Sequence, residues 1–207
     1  MYTCAQCKDK HCRRGNLDKA PQNCPCRDDQ ENIKALYKEG DNPKIAYNSA
    51  LVESEGYCQW SRLEEIMHFA RKCNFTNLGV AFCVGLRAEA LTLVQLLKKH
   101  GFTVDSIACK NGSIPKEFLG IQEQDKLRPG TFEPMCNPIG QAIALNNAHT
   151  DLNIILGLCV GHDTLFIKYS KAPVTVMAVK DRVLGHNPIA ALYLTESYYK
   201  KKLHADF

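Results

Sequence analysis

The first thing missing from this 207-residue sequence is a long apolar run: nothing approaches the roughly 20 residues that a membrane-spanning helix needs. The opening MYTCAQCKDK also carries no apolar core of the secretory kind, so a cytoplasmic protein with no membrane partner is expected. An excess of charge of one sign is absent too, with 26 Lys and Arg against 22 Asp and Glu and a formal charge of +4. Lys98-Lys99-His100 and Lys200-Lys201-Lys202 lack interleaved aromatics, so they read as solvated helix ends that offset the helix dipole, and nucleic acid is not an expected partner. No G-x-G-x-x-G is present. The nearest glycines give VGLRAEA, which excludes a nicotinamide fingerprint but leaves flavin open, because flavin sites often have no short signature. There is no nucleophile-elbow pattern and no internal repeat.

Cysteine, by contrast, is abundant, with eleven in the chain. In a reducing compartment these are expected to be free or metal-bound rather than paired as disulfides. Five of them, Cys4, Cys7, Cys12, Cys24 and Cys26, fall within residues 1–27, with almost no apolar residues between them. Such a segment cannot bury enough surface to order itself, whereas thiolates around a metal would hold it. Four cysteines suit either a closed zinc site or an iron–sulfur cluster, and the spacing here does not choose between them. The expected ligands are Cys4, Cys7, Cys12 and Cys24, with Cys26 as an alternate. His11 is expected to face water.

Residues 28–207 read as an α/β domain. From 28 to 74 the pattern is helical: Asp28 or Asp29 caps a helix to about Glu39, and a second stretch runs from Pro43 to Glu55. Ser61 and Glu64 form a capping box that opens a third helix, with Leu63, Ile66, Met67 and Ala70 on one face. From 75 onward, strands and helices alternate. NLGVAFCVG, FTVDSIACK, LNIILGLCV and APVTVMAV are the strand candidates. Helices are expected from Leu86 to His100, with Leu86, Ala90, Leu93 or Val94, and Leu97 inward, then after Asn137-Pro138, and from Asn187-Pro188 toward Lys202. That alternation implies a mainly parallel sheet with helices on both faces. Residues 110–135, broken by Pro115, Gly120, Pro129, Gly130 and Pro134, are too long for a plain connection and suggest a lid or binding loop.

In this reading Cys83, Cys109 and Cys159 end the first three strands, and Cys136 directly precedes a helix start. Open α/β sheets bind ligands beyond the carboxyl ends of their strands, and helix N-termini favour the thiolate, the form that ligates metals. Cys109, Cys136 and Cys159 are therefore expected to share a site, with Cys83 as a possible fourth member. Taken singly, Cys83 reads as a packed strand residue, and Cys58 and Cys73 as inert residues of helical stretches. His162 with Asp163 follows the third strand and His186 the fourth; either histidine could ligate, orient or move a proton. Cys159, His162 and His186 are the catalytic candidates. Lys180, Asp181 and Arg182 would bind an anionic ligand or simply form surface ion pairs. Asn137 is suited to be an N-cap, with Gln141 and Asn146 further along the same helix.

The combination of CAQC, NCP, FCVGL, CNPIGQA, GLCVGHD and APVTVMAVKDRVLGHNP resembles a domain-of-unknown-function family of uncharacterised cysteine-rich metal-binding proteins of anaerobic prokaryotes. The resemblance covers nearly the whole chain. It implies metal binding through Cys4, Cys7, Cys12 and Cys24, and through Cys109, Cys136 and Cys159; it supplies no substrate. Three functions follow as expectations. The first is an iron–sulfur protein, with 4Fe-4S the expected cluster, whose three-thiolate site leaves a metal position open to a small molecule, or which serves a redox partner. The second is a zinc-binding carrier, sensor or docking module. The third is a thiol enzyme with Cys159 as nucleophile and His162 or His186 as base.

Overall fold

The four apolar runs become four strands, β1 (Asn77–Phe82), β2 (Thr103–Ala108), β3 (Leu152–Leu158) and β4 (Val174–Val179), in a computed structural model that describes residues 1–205. All pairings are parallel and the order is β2-β1-β3-β4, so the fold is the expected α/β class. The helices are α1 (Gln30–Leu36), α2 (Asn42–Gly56), α3 (Arg62–Lys72), α4 (Arg87–Lys99), α5 (Pro138–Asn147), α6 (His162–Tyr169), α7 (Ile189–Tyr193) and α8 (Lys200–Leu203). No helix of the described residues is long and apolar enough to cross a membrane.

The chain divides into two compact units, Met1–Tyr57 and a second beginning at Cys58. The first contains the cysteine-rich residues 1–27 together with α1 and α2. Its N-terminal part is a series of 3-10 turns, Cys4–Gln6, His11–Arg14, Leu17–Lys19 and Pro25–Arg27. The Asp29 carboxylate accepts from Asn32 N–H and starts α1.

In the second unit, α3 opens on the predicted capping box of Ser61 and Glu64 and buries Ile66, Met67 and Ala70. Helix α4 buries Ala90, Leu93 and Leu97, the spacing of one helical face. Strand β3 is buried along its whole length, as a central strand of a sheet covered on both faces must be. Ile155 packs with Ala142, Leu145 and Phe166 on the α5–α6 side. Its neighbour Leu156 points the other way, toward Leu93 of α4. A polar insertion crosses the core: buried Asn153 donates to Ser170 Oγ at 2.8 Å and accepts from Thr150 Oγ at 2.8 Å. Gly79, its register partner on β1, provides the space.

Three elements differ from expectation. Helix α6 was not foreseen; it begins after Gly161 (φ +83°), with the Cys159 carbonyl accepting from His162 and Asp163 N–H. The single C-terminal helix expected toward Lys202 is instead α7 and α8. Between them, Thr195 Oγ bonds back to Leu192 O and Ser197 Oγ to Leu194 O, competing with the helical ladder. Cys58 lies in the turn after α2 (φ +56°) and Cys73 caps the end of α3, so neither sits inside a helix. Residues 110–135 are pinned at their base by a Pro115–Pro134 bridge and a Met135 N–H bond to Ile114 O at 2.7 Å. Inside this loop, the Lys126 side chain, only 3% exposed, reaches Glu117 at 2.5 Å and Glu123 at 2.7 Å.

Candidate functional site

Strand register determines which sulfurs meet. Phe82 of β1 pairs with Ala108 of β2 and with Leu156 of β3, so the next residues outward are Cys83, Cys109 and Gly157. Cys83 and Cys109 are therefore neighbours, close enough for the Cys109 thiol to act on that of Cys83. Val84 N–H also donates to Cys109 Sγ at 3.3 Å. Cys159 lies two residues beyond Gly157, past a register irregularity in β3.

Cys136 arrives from the 110–135 loop and is placed by backbone. Asn137 N–H donates to Cys109 O at 2.7 Å, which brings the Cys136 sulfur to 3.8 Å from Cys109 Sγ. Asn137 also caps α5, its side-chain oxygen accepting from Gly140 N–H at 2.9 Å, while Asn111 donates to the carbonyls of Ala108 and Asn137, both at 3.0 Å. Only glycine fits at 140, since an added methyl would lie 2.3 Å from Asn111 Oδ1. Fully buried Gln141 donates its amide to Phe82 O (3.2 Å) and Ile107 O (2.7 Å), tying together the strand ends that carry Cys83 and Cys109. Neither role of Asn111 and Gln141 was read from sequence. An Asn two residues after a strand-end Cys, and a Gln one turn into the helix after Cys136, are the signals that could have shown them.

Cys83, Cys109, Cys136 and His162 thus follow one another along this edge, each acting on the next, with the closest sulfurs those of Cys109 and Cys136. Cys109 is 2% exposed and lies between two sulfurs; their hydrogen bonds and its burial raise its pKa, so it keeps the proton. Cys136 is the reverse: the Cys109 hydrogen bond, then His162, hold it as thiolate, lowered to about 4. Cys83 is lowered to about 5 by the Cys109 hydrogen bond, with Gly85 N–H and Lys180 adding to it. His162 is correspondingly raised by its bond to Cys136. Cys159 joins the edge through Arg182, whose Nη2 is 3.3 Å from its sulfur and whose charge also acts on Cys83 and Cys136.

These findings revise several sequence assignments. Cys83, expected as a possible fourth member of the site, lies beside Cys109. His162 partners Cys136, not Cys159. His186 accepts Asp181 N–H at Nδ1 (3.0 Å) and lines a separate pocket. Lys180 and Arg182 engage thiols, while Asp181 caps its own loop through Val183 and Leu184 N–H. In the N-terminal segment Cys26 has Cys24 and Cys12 as neighbours, and both raise its thiol pKa, so the alternate lies beside two of the expected ligands. Cys4 and Cys7 belong to a separate turn, in which Cys7 N–H bonds Cys4 O at 3.2 Å. His11 does not simply face water: its Nδ1 is buried with no hydrogen-bond partner.

As a donor set, ionised thiols beside cations suit a thiophilic metal. Among the described residues, however, no group of three or more His, Cys, Asp or Glu is arranged to hold one metal ion. A lone zinc needs its sulfurs converging at about 2.3 Å on one point, whereas a multi-metal cluster takes each thiolate on a different metal atom. The 3.8 Å between the Cys109 and Cys136 sulfurs is also the spacing of two ligands on one tetrahedral ion, so the arrangement does not select a cluster over a single ion.

No solved structure matches the chain. It is 46% identical over 200 residues, 97% of both chains, to the uncharacterized protein MJ0455 of Methanocaldococcus jannaschii. The family model described as protein of unknown function (DUF1847) matches residues 22–177, a span that contains the whole thiol row and Cys159, and its description names no metal. With the match covering most of the sequence, the chain belongs to the DUF1847 family.

Proposed function

We propose that this protein binds a thiolate-ligated metal centre, an iron–sulfur cluster in the first instance, at the C-terminal edge of its sheet. Cys83, Cys109 and Cys136 would be the principal ligands, with Cys159 as a fourth. The observation that carries this reading is the gathering of thiols at the edge where parallel α/β sheets place their ligands, with Cys83 and Cys109 adjacent by strand register and the Cys136 sulfur 3.8 Å from that of Cys109. Two of its sulfurs are already held ionised, as ligation requires. When bound, such a centre supplies electron transfer or a Lewis-acidic metal position. The chain's own contribution is to fix the sulfurs through Asn111, Asn137 and Gln141, to balance their charge with Lys180 and Arg182, and to keep a proton on His162. The trio Cys12, Cys24 and Cys26, with the unpartnered His11 nitrogen, is a second group of soft donors and supports an N-terminal metal site of its own.

Anaerobic purification with iron and acid-labile sulfide analysis tests this. Brown protein is expected, with iron and sulfide reduced in Cys109→Ser and, by a separate increment, in Cys24→Ser. Unchanged iron and sulfide in a Cys109→Ser, Cys136→Ser double variant would remove the sheet-edge centre. Colourless protein with one zinc per chain would favour the carrier or docking-module reading instead.

A second reading, a thiol enzyme, is favoured by the Cys136–His162 pair, which moves the nucleophile from Cys159 to Cys136. Metal-free protein labelled stoichiometrically at Cys136 by a mild alkylating agent would support it.

A further inference from the structure

A 390 Å³ pocket lies between the α3–α4 layer and strands β3 and β4. Its walls are aliphatic, from residues that include Leu63, Leu93, Leu96, Leu156 and Met177, and its polar residues are Glu89, Thr92 and His186. The Thr92 hydroxyl spends its proton on Ala88 O at 3.1 Å. Glu89 stands on the exposed part of α4, where it disfavours an anion. His186 is different. Its Nδ1 accepts the Asp181 N–H, and a neutral imidazole that accepts at Nδ1 carries its proton on Nε2. That Nε2–H has no protein acceptor among the described residues.

The loop around His186 is over-determined. His186 N–H returns to Asp181 O at 2.9 Å, and Asp181 Oδ1 accepts Val183 and Leu184 N–H at 2.9 and 2.8 Å. These bonds hold His186 at φ +65°, a left-handed conformation that costs a non-glycine residue energy and persists where surrounding structure imposes it. The strain is spent on presenting an imidazole to an apolar cavity. Leu86, another wall residue, connects the pocket to the thiol row: its N–H bonds Cys83 O at 2.8 Å, and Gly157 sits against both its side chain and the stem of Lys180.

We propose that this pocket binds a compact, uncharged apolar molecule bearing one hydrogen-bond acceptor, a carbonyl compound such as a ketone or ester, whose oxygen receives the Nε2 proton of His186. Apolar sites with a few placed polar groups fix orientation in this way. The inference does not depend on the metal reading, because no cysteine lines the pocket and its donor is His186.

The test uses the full chain and two probes of the same shape, acetophenone and α-methylstyrene, in which a methylene replaces the carbonyl oxygen. Calorimetric titration should show acetophenone binding about tenfold tighter, the value of one hydrogen bond that would otherwise go unmade. His186→Ala should bring the two affinities together, and His186→Gln, which keeps an N–H donor, should restore part of the preference. Leu96→Trp should abolish binding of both. Equal affinities in the unaltered chain, a preference that survives His186→Ala, or binding unaffected by Leu96→Trp would each overturn the proposal. If His186→Ala fails to fold by circular dichroism, the imidazole 15N signals of the unaltered chain decide: acetophenone must shift the Nε2 resonance, and an unmoved resonance rejects the site.

Discussion

At the sheet edge, Cys83 and Cys109 occupy positions that parallel strand pairing dictates, while in residues 1–27 Cys12, Cys24 and Cys26 meet where only 3-10 turns run. The first group is placed by backbone ladders and by buried amides such as Gln141. The second is stitched by side chains reaching for carbonyls: Arg27 Nη2 donates to Ala20 O at 2.6 Å, and Asn23 donates to Met1 O at 3.3 Å. Sulfurs positioned by a core can be poised chemically, because burial and fixed neighbours separate their protonation states. Sulfurs positioned by exposed stitches have fewer buried contacts to hold them. A metal would contribute most there, since little else orders the segment.

The sharpest break of this contrast is Gly79→Ala. The added methyl would lie 2.0 Å from Asn153 Oδ1 and 2.8 Å from Leu145 Cδ1, disturbing the β1–β3 register and a buried hydrogen-bond pair together. A loss of about 3 kcal/mol is expected, from overpacking plus a disrupted buried polar group, read by thermal denaturation. Cys83 and Cys109 should become more accessible to alkylation in parallel, while Cys24 and Cys26 should not. A stability unchanged within about 0.5 kcal/mol would show that register is not what sets the row.

A smaller effect distinguishes the groups through pH. Cys136 and Cys83 have depressed folded-state pKa values, so their contribution to stability is complete above the ordinary thiol range and is lost as pH falls toward 5 and 4. His162, raised by Cys136, acts in the opposite sense: its contribution is present below the ordinary imidazole range and fades as pH rises through its folded value. Metal-free protein should therefore gain stability from pH 5 to 8 in urea titrations, with a slope below about 1.4 kcal/mol per pH unit for each thiolate. Cys136→Ser should flatten that slope and Cys24→Ser should leave it. An identical slope in all three proteins would mean that the row is not ionised as described.

The smallest expected effect is that of Arg27→Ala. It removes the bonds to the Ala20, Pro21 and Asp18 carbonyls, so residues 15–27 should be cleaved faster by trypsin-like and chymotrypsin-like proteases. The unfolding of the sheet-bearing unit should move by less than about 0.5 kcal/mol. A large shift there would erase the distinction between the two regions.

Much of the fold was legible because its signals are local. Four apolar runs gave four strands, Ser61 with Glu64 gave a capping box, and Asn137 gave an N-cap. Helix α6 was missed because HDTLFIKY lies directly after a strand and opens on Gly161 without a side-chain cap. The Asn153–Ser170–Thr150 network was invisible, since nothing in LNIILGL indicates that its asparagine is buried opposite a glycine. The site was legible in outline. Cysteines at strand ends pointed to one sheet edge, yet the pairing of Cys136 with His162, and the capture of Cys159 by Arg182, join residues 26 and 23 positions apart through side chains alone.

By itself, the sequence determined the element types and their order, and with them the placing of thiols at strand ends, because hydrophobic periodicity and caps act over a few residues. Only the tertiary structure decided which sulfurs touch, which keeps its proton and where His186 looks. Those outcomes depend on register, on the irregularity at Gly157 and on burial, and each arises between segments far apart in the chain.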